Sequence, residues 1–94
     1  VLYDIQDDKK RIKLADACLD YGLDRVQYSA FRGKLSATLR KELTARLRRI
    51  VGKAPANVQV IGICEKDWQE RVEIANAGLN LTQPTQLSSE LDDD

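Results

Sequence analysis

The sequence contains no histidine and no methionine, and it has only two cysteines, two prolines and one tryptophan among 94 residues. Without histidine, Ser-His-Asp and Cys-His nucleophilic catalysis are excluded, so any enzyme built here works with carboxylates, a metal, or both. Cys18 and Cys64 are too few for a disulfide framework, and no CxxC or Cys/His cluster is present to build a zinc site. Both read as buried structural thiols that behave as small hydrophobes. No apolar run approaches the ~20 residues of a transmembrane helix, and no basic start leads into an apolar stretch of signal-peptide length. A cytoplasmic location is the expectation.

Net charge is missing as well, because fifteen Lys and Arg offset fifteen Asp and Glu. The signs are nevertheless segregated along the chain. Arg25 to Cys64 holds nine basic residues against the single acid Glu42, a net of +8, whereas Glu65 to Asp94 holds two basic and eight acidic residues, a net of −6. Residues 1–24 carry −2. Neutrality therefore leaves room for a basic binding surface. The length allows one domain and excludes a second full one, and 43% apolar with 32% charged residues is a globular composition.

Val1 to Ile5 is β-branched and aromatic enough for a short strand. It starts at the first residue of a chain without methionine, so further residues are expected before Val1. Gln6-Asp7-Asp8 supplies a turn and capping carboxylates, and Lys9 to Tyr21 predicts a helix with Ile12, Ala15, Cys18 and Leu19 on its apolar stripe, closed by Gly22. Arg25 to Phe31 alternates as one strand, with Val26, Tyr28 and Ala30 on one face and Arg25, Gln27, Ser29 and Phe31 on a polar one. Arg32 to Leu35 either continues it through a bend or begins a neighbouring strand. Ser36 is the next N-cap, and Leu39, Leu43, Leu47 and Ile50 predict a helix over Thr38 to Val51, ended by Gly52. Val58 to Cys64 reads as a largely buried strand and Trp68 to Ile74 as a further short one, with Arg71 to Ile74 alternating. Residues 1–77 make the domain, and residues 78–94, rich in Asn, Thr, Gln, Ser and terminal acids, read as a flexible acidic tail.

Strand, helix, one or two strands, helix, strand is the order of an α+β, ferredoxin-like βαββαβ sandwich with an extra C-terminal strand. Two helices cover one sheet face. Nothing in so short a chain covers the other, which leads to the expectation of a homodimer stacked sheet to sheet.

Tyr3-Asp4-Ile5, Asp8-Lys9-Lys10-Arg11, Asp20-Tyr21-Gly22 and Arg25-Val26-Gln27-Tyr28-Ser29-Ala30-Phe31, with Cys64-Glu65 beyond, resemble the family of CRISPR-associated protein 2, the small CRISPR adaptation subunit, over about the first 75 residues. The resemblance implies a ferredoxin-like homodimer. In some members it implies a metal-dependent phosphodiesterase acting on single-stranded RNA or double-stranded DNA. It also implies a structural role, bridging two dimers of the integrase, CRISPR-associated protein 1, and holding prespacer DNA before insertion into the repeat array. The family's metal-binding Asp matches Asp4 and its catalytic neighbour matches Tyr3, while the basic and aromatic positions near the site match Arg11, Lys13, Arg25 and Phe31. Arg32 stands where many members carry an acid, and Lys13 where others carry Arg.

A single Asp per chain makes a thin magnesium site, but Asp4 side chains from two protomers would supply both carboxylates for one shared Mg2+. The competing reading of Asp4 is a strand-end carboxylate that accepts backbone N–H bonds in the following turn. Tyr3 and Phe31 are either core aromatics or stacking platforms for bases. Arg11 and Lys13 are either a solvated helix face or phosphate contacts. Arg46, Arg48 and Arg49, on a helix with almost no acids, fit a phosphate-contacting face. The tail is either a solubilising segment or one that docks on a basic partner. Two other functional classes stay open: a stand-alone, toxin-like endoribonuclease and a non-catalytic ferredoxin-like interaction module.

Overall fold

Tyr3 and Ile5 of β1 (Leu2–Ile5) point into the core while Leu2 and Asp4 face out, the alternation of a strand buried on one side only. The computed structural model describes residues 1–76, so the expected tail over 78–94 lies outside the described residues. Asp7 then caps α1 (Asp8–Asp20), its carboxylate accepting the Lys10 backbone N–H at 3.0 Å. At the other end Gly22 adopts φ +80°, which lets its N–H bond the Leu19 carbonyl and the Leu23 N–H bond the Cys18 carbonyl. This pair of bonds is a Schellman motif, and it buries Leu23.

The chain next forms β2 (Asp24–Gln27) and β3 (Ala30–Arg32), joined by a turn at Tyr28-Ser29. The single strand expected over Arg25–Phe31 is thus a hairpin. Gln27 pairs with Ala30 across a two-residue connection, and a register irregularity between Arg25 and Gln27 interrupts the alternation. Ser36 caps α2 (Ala37–Val51), accepting the Leu39 N–H at 3.1 Å, and Gly52 at φ +56° ends it. β4 (Ala56–Gln59) completes a four-stranded antiparallel sheet ordered β2-β3-β1-β4, the ferredoxin-like arrangement.

Further expectations are corrected. On α1 the buried residues are Leu14, Ala15, Ala17 and Cys18, whereas Ile12 and Leu19 are exposed; the 3.6-residue period admitted two neighbouring stripes, and the one meeting the sheet and α2 is buried. The fourth strand stops at Gln59, which pairs with Leu2, and Val60, Ile61 and Ile63 beyond it are exposed. Among the described residues no strand forms over Trp68–Ile74. Instead Glu65–Gln69 is a short helix, α3, and the guanidinium groups of Arg32 (4.7 Å) and Arg71 (3.9 Å) pack over its Trp68 ring. Lys34 pairs with Glu65 at 3.4 Å on the same element.

The core joins Tyr3, Ile5 and Phe31 of the sheet to Leu14 and Cys18 of α1 and Leu43 and Leu47 of α2. Each fully buried aliphatic side chain contributes about 1.5–3 kcal/mol, and these contacts fix both helices on one side of the sheet. Leu39, expected on the buried stripe of α2, is exposed at the edge of this contact. Burial pushes the Cys18 thiol up to about 11, against partial relief from the amino terminus, Arg25 and Arg46, whereas Cys64, expected to be buried as well, is exposed where the chain enters α3.

Candidate functional site

The strand alternation of β1 separates the two residues expected to act together at its end. Asp4 is exposed on the sheet face turned away from α1 and α2. Tyr3 is buried on the opposite face, and its hydroxyl approaches the Tyr28 carbonyl at 3.4 Å. Burial raises the Tyr3 phenol above its ordinary value, partly offset by Arg25, so it stays protonated at neutral pH. The ring stacks on Phe31 with centroids 6.2 Å apart. Phe31 is itself 2% exposed, and the Arg25 guanidinium lies 4.9 Å from its ring centroid. Its strand face, expected to be polar, is the core face; the ring packs the fold and offers no open surface for a base.

The basic residues divide into those with structural partners and those without. Arg11 donates to the Ile5 carbonyl at 2.9 Å and pairs with Asp8, holding the end of β1 to the first turn of α1. Arg25 donates to the Tyr28 carbonyl at 3.1 Å and braces the hairpin. Arg46 pairs with Asp20 at 3.0 Å, joining α2 to the end of α1. Lys13, Arg48 and Arg49 form no ion pair among the described residues.

These cations meet along the helix layer. A cleft of about 630 Å³ between α1 and α2 is lined by Lys9, Lys10, Lys13, Arg46 and Arg49, with Asp7 the one acid and Ile50 the one apolar wall. Within it Lys10 Nζ donates to the Ile50 and Val51 carbonyls at 2.9 and 3.2 Å. It thereby neutralises the negative end of α2 that would otherwise repel an anion. On the far side of α2 a smaller hollow is lined by Arg40, Lys41 and Arg48 with Thr44 and Ala45. The helix layer therefore presents cations on both flanks of α2, a surface suited to a phosphate backbone through charge and shape.

Sequence reasoning missed Lys9 and Lys10, although the run Lys9-Lys10-Arg11 announced them. It also missed Asn57, which the register sets directly opposite Asp4 on β4. Nothing in the linear sequence pairs those two positions. Asp4 has no ion-pair partner among the described residues. Those residues contain no group of three or more carboxylate, thiol or imidazole side chains within reach of one ion. One exposed carboxylate with an amide beside it matches the donor chemistry of Mg2+, which takes one or two carboxylates and keeps several waters. No helix among the described residues is long and apolar enough to cross a membrane.

The family model described as CRISPR associated protein Cas2 matches residues 1–71. Among curated proteins, the chain is 49% identical over 71 residues to CRISPR-associated endoribonuclease Cas2 2 of Chloroflexus aurantiacus, covering 76% of this chain and 84% of that protein. It is 49% identical over 67 residues to CRISPR-associated endoribonuclease Cas2 of Desulforudis audaxviator, covering 71% of this chain and 63% of that one. It is also 43% identical over 63 residues to the CRISPR-associated endonuclease Cas1/endonuclease Cas2 fusion of Thermoproteus tenax, covering 67% of this chain and 24% of the fusion.

Proposed function

The chain belongs to the CRISPR associated protein Cas2 family. From that premise we propose that it serves CRISPR adaptation as a homodimer that holds prespacer DNA for the integrase, CRISPR-associated protein 1, and carries a Mg2+-dependent phosphodiesterase site at paired Asp4. The observation that carries this reading is the exposure of Asp4 on the sheet face opposite the cation-lined helix layer. Holding and hydrolysis then occupy different faces of one protomer. A second copy stacked on the outer sheet face would cover the exposed Leu2 and bring the second Asp4 to the first. Asp4 of each protomer would hold the ion. When bound, the ion neutralises charge developing on the phosphate and lowers the pKa of a coordinated water. The fusion in Thermoproteus tenax, which joins Cas1 and Cas2 in one chain by name, supports the integrase as partner.

A second reading, a stand-alone endoribonuclease, is favoured by the endoribonuclease names of the relatives. Co-purification with the integrase, followed by spacer integration with wild-type protein and with Asp4→Ala, separates the two. Stable co-purification with full integration by Asp4→Ala supports the holding role. No association with the integrase, together with Mg2+-dependent RNA cleavage lost in Asp4→Ala, supports the stand-alone nuclease.

A further inference from the structure

We infer that Asn57 is a second oxygen donor of the Asp4 cation site, an inference that rests on the reading of Asp4 given above. β1 and β4 run antiparallel with Asp4 opposite Asn57. Directly opposed side chains in such a pair share one face, with Cβ atoms about 4.5–5.5 Å apart. On the helix side of the same two strands the opposed pairs are Tyr3 with Val58 and Ile5 with Ala56, of which Tyr3, Ile5 and Val58 belong to or pack against the core. On the outer side Leu2 opposes Gln59 and Asp4 opposes Asn57, and all four are exposed. Asn57 therefore contributes nothing to the core, and its chemistry is free for a ligand.

An amide carbonyl oxygen is a hard donor of the kind Mg2+ and Mn2+ accept beside a carboxylate. Gln59 Nε2 donates to Asn57 Oδ1 at 3.2 Å. That bond uses one of two lone pairs and orients the amide, leaving the second for a cation. The site is then a carboxylate and a carboxamide on neighbouring strands, with the orienting glutamine two residues along. The competing account is that β4, as an edge strand, carries polar residues only to discourage pairing with other chains. It predicts that changes at Asn57 leave cation binding alone.

The test is Mn2+ binding to the intact protein, followed by electron paramagnetic resonance of the free ion, for wild type, Asn57→Ala, Asn57→Asp and Asp4→Ala. Asn57→Ala is expected to weaken Mn2+ binding about tenfold, on the scale of lost partners at metal sites, and Asn57→Asp to strengthen it. If Asn57→Ala binds as wild type while Asp4→Ala loses the ion, the assignment of Asn57 is overturned and the Asp4 site stands. Equal weakening by Asn57→Ala and Asn57→Asp marks a structural role and also overturns it. If wild type binds no Mn2+, or Asp4→Ala binds it unchanged, the Asp4 reading fails and this inference with it.

Discussion

Replacing Lys9, Lys13 and Arg49 together by Ala should flatten the salt dependence of duplex binding more than it alters the fold. All three line the α1–α2 cleft, and none has an ion-pair partner among the described residues. Each phosphate contact contributes about 0.9 to the slope of log K against log salt, so three contacts per protomer contribute about 2.7. Between about 50 and 200 mM salt that slope corresponds to roughly a 40-fold change in affinity, and the variant should lose that sensitivity. Fluorescence anisotropy of a labelled duplex over a salt series reads it directly. Lys10→Met is the internal control, because its ammonium is committed to the Ile50 and Val51 carbonyls. It should cost about 1–2 kcal/mol of stability through the lost charged hydrogen bonds and change the slope little. An unchanged slope in the triple variant, or an equal change in Lys10→Met, would refute the division between structural and ligand-facing cations.

Two further predictions concern the fold around the site. Cys18 has a folded pKa of about 11 against an ordinary 9.0, so the folded state holds its proton over a range where the unfolded state loses it. Stability is therefore intact below pH 9 and falls as pH rises from 9 to 11, by about 2–3 kcal/mol. Urea unfolding of wild type and Cys18→Ala across that range checks it, and an identical pH dependence in both would remove Cys18 as the cause. Trp68, the one tryptophan, should shift its emission to the red in Arg32→Ala/Arg71→Ala, because the two guanidinium groups pack over its ring. A five-residue helix does not hold alone, and each such contact is worth about 0.5–1 kcal/mol at an exposed site. An unmoved emission maximum would contradict the stack.

The two long helices and the first strand were legible because their signals are local. Asp7 and Ser36 sit where an N-cap is needed, Gly22 and Gly52 where a helix ends, and Leu43 and Leu47 on one side of α2. The hairpin at Tyr28-Ser29 was not legible, since it lacks the Gly, Asn or Asp that marks a tight turn, and Arg25 to Phe31 alternates well without it. The end of the chain misled for another reason. Val60 to Ile63 and Val72 to Ile74 have strand-like composition, but a strand needs a neighbour, and β1 offers pairing only as far as Gln59. At the candidate site, the types of residue were readable and their sides were not. Asp4 and Tyr3 are adjacent in sequence and separated by the sheet, while Asp4 and Asn57 are far apart in sequence and opposed across two strands.

The most direct test is to measure duplex binding and Mg2+-dependent cleavage on the same preparations of wild type and Asp4→Ala. If the helix layer holds nucleic acid and the outer sheet face carries the chemistry, Asp4→Ala binds duplex with wild-type affinity and salt slope and cleaves neither RNA nor DNA. Cleavage at the wild-type rate by Asp4→Ala, or loss of duplex binding with it, would contradict that division.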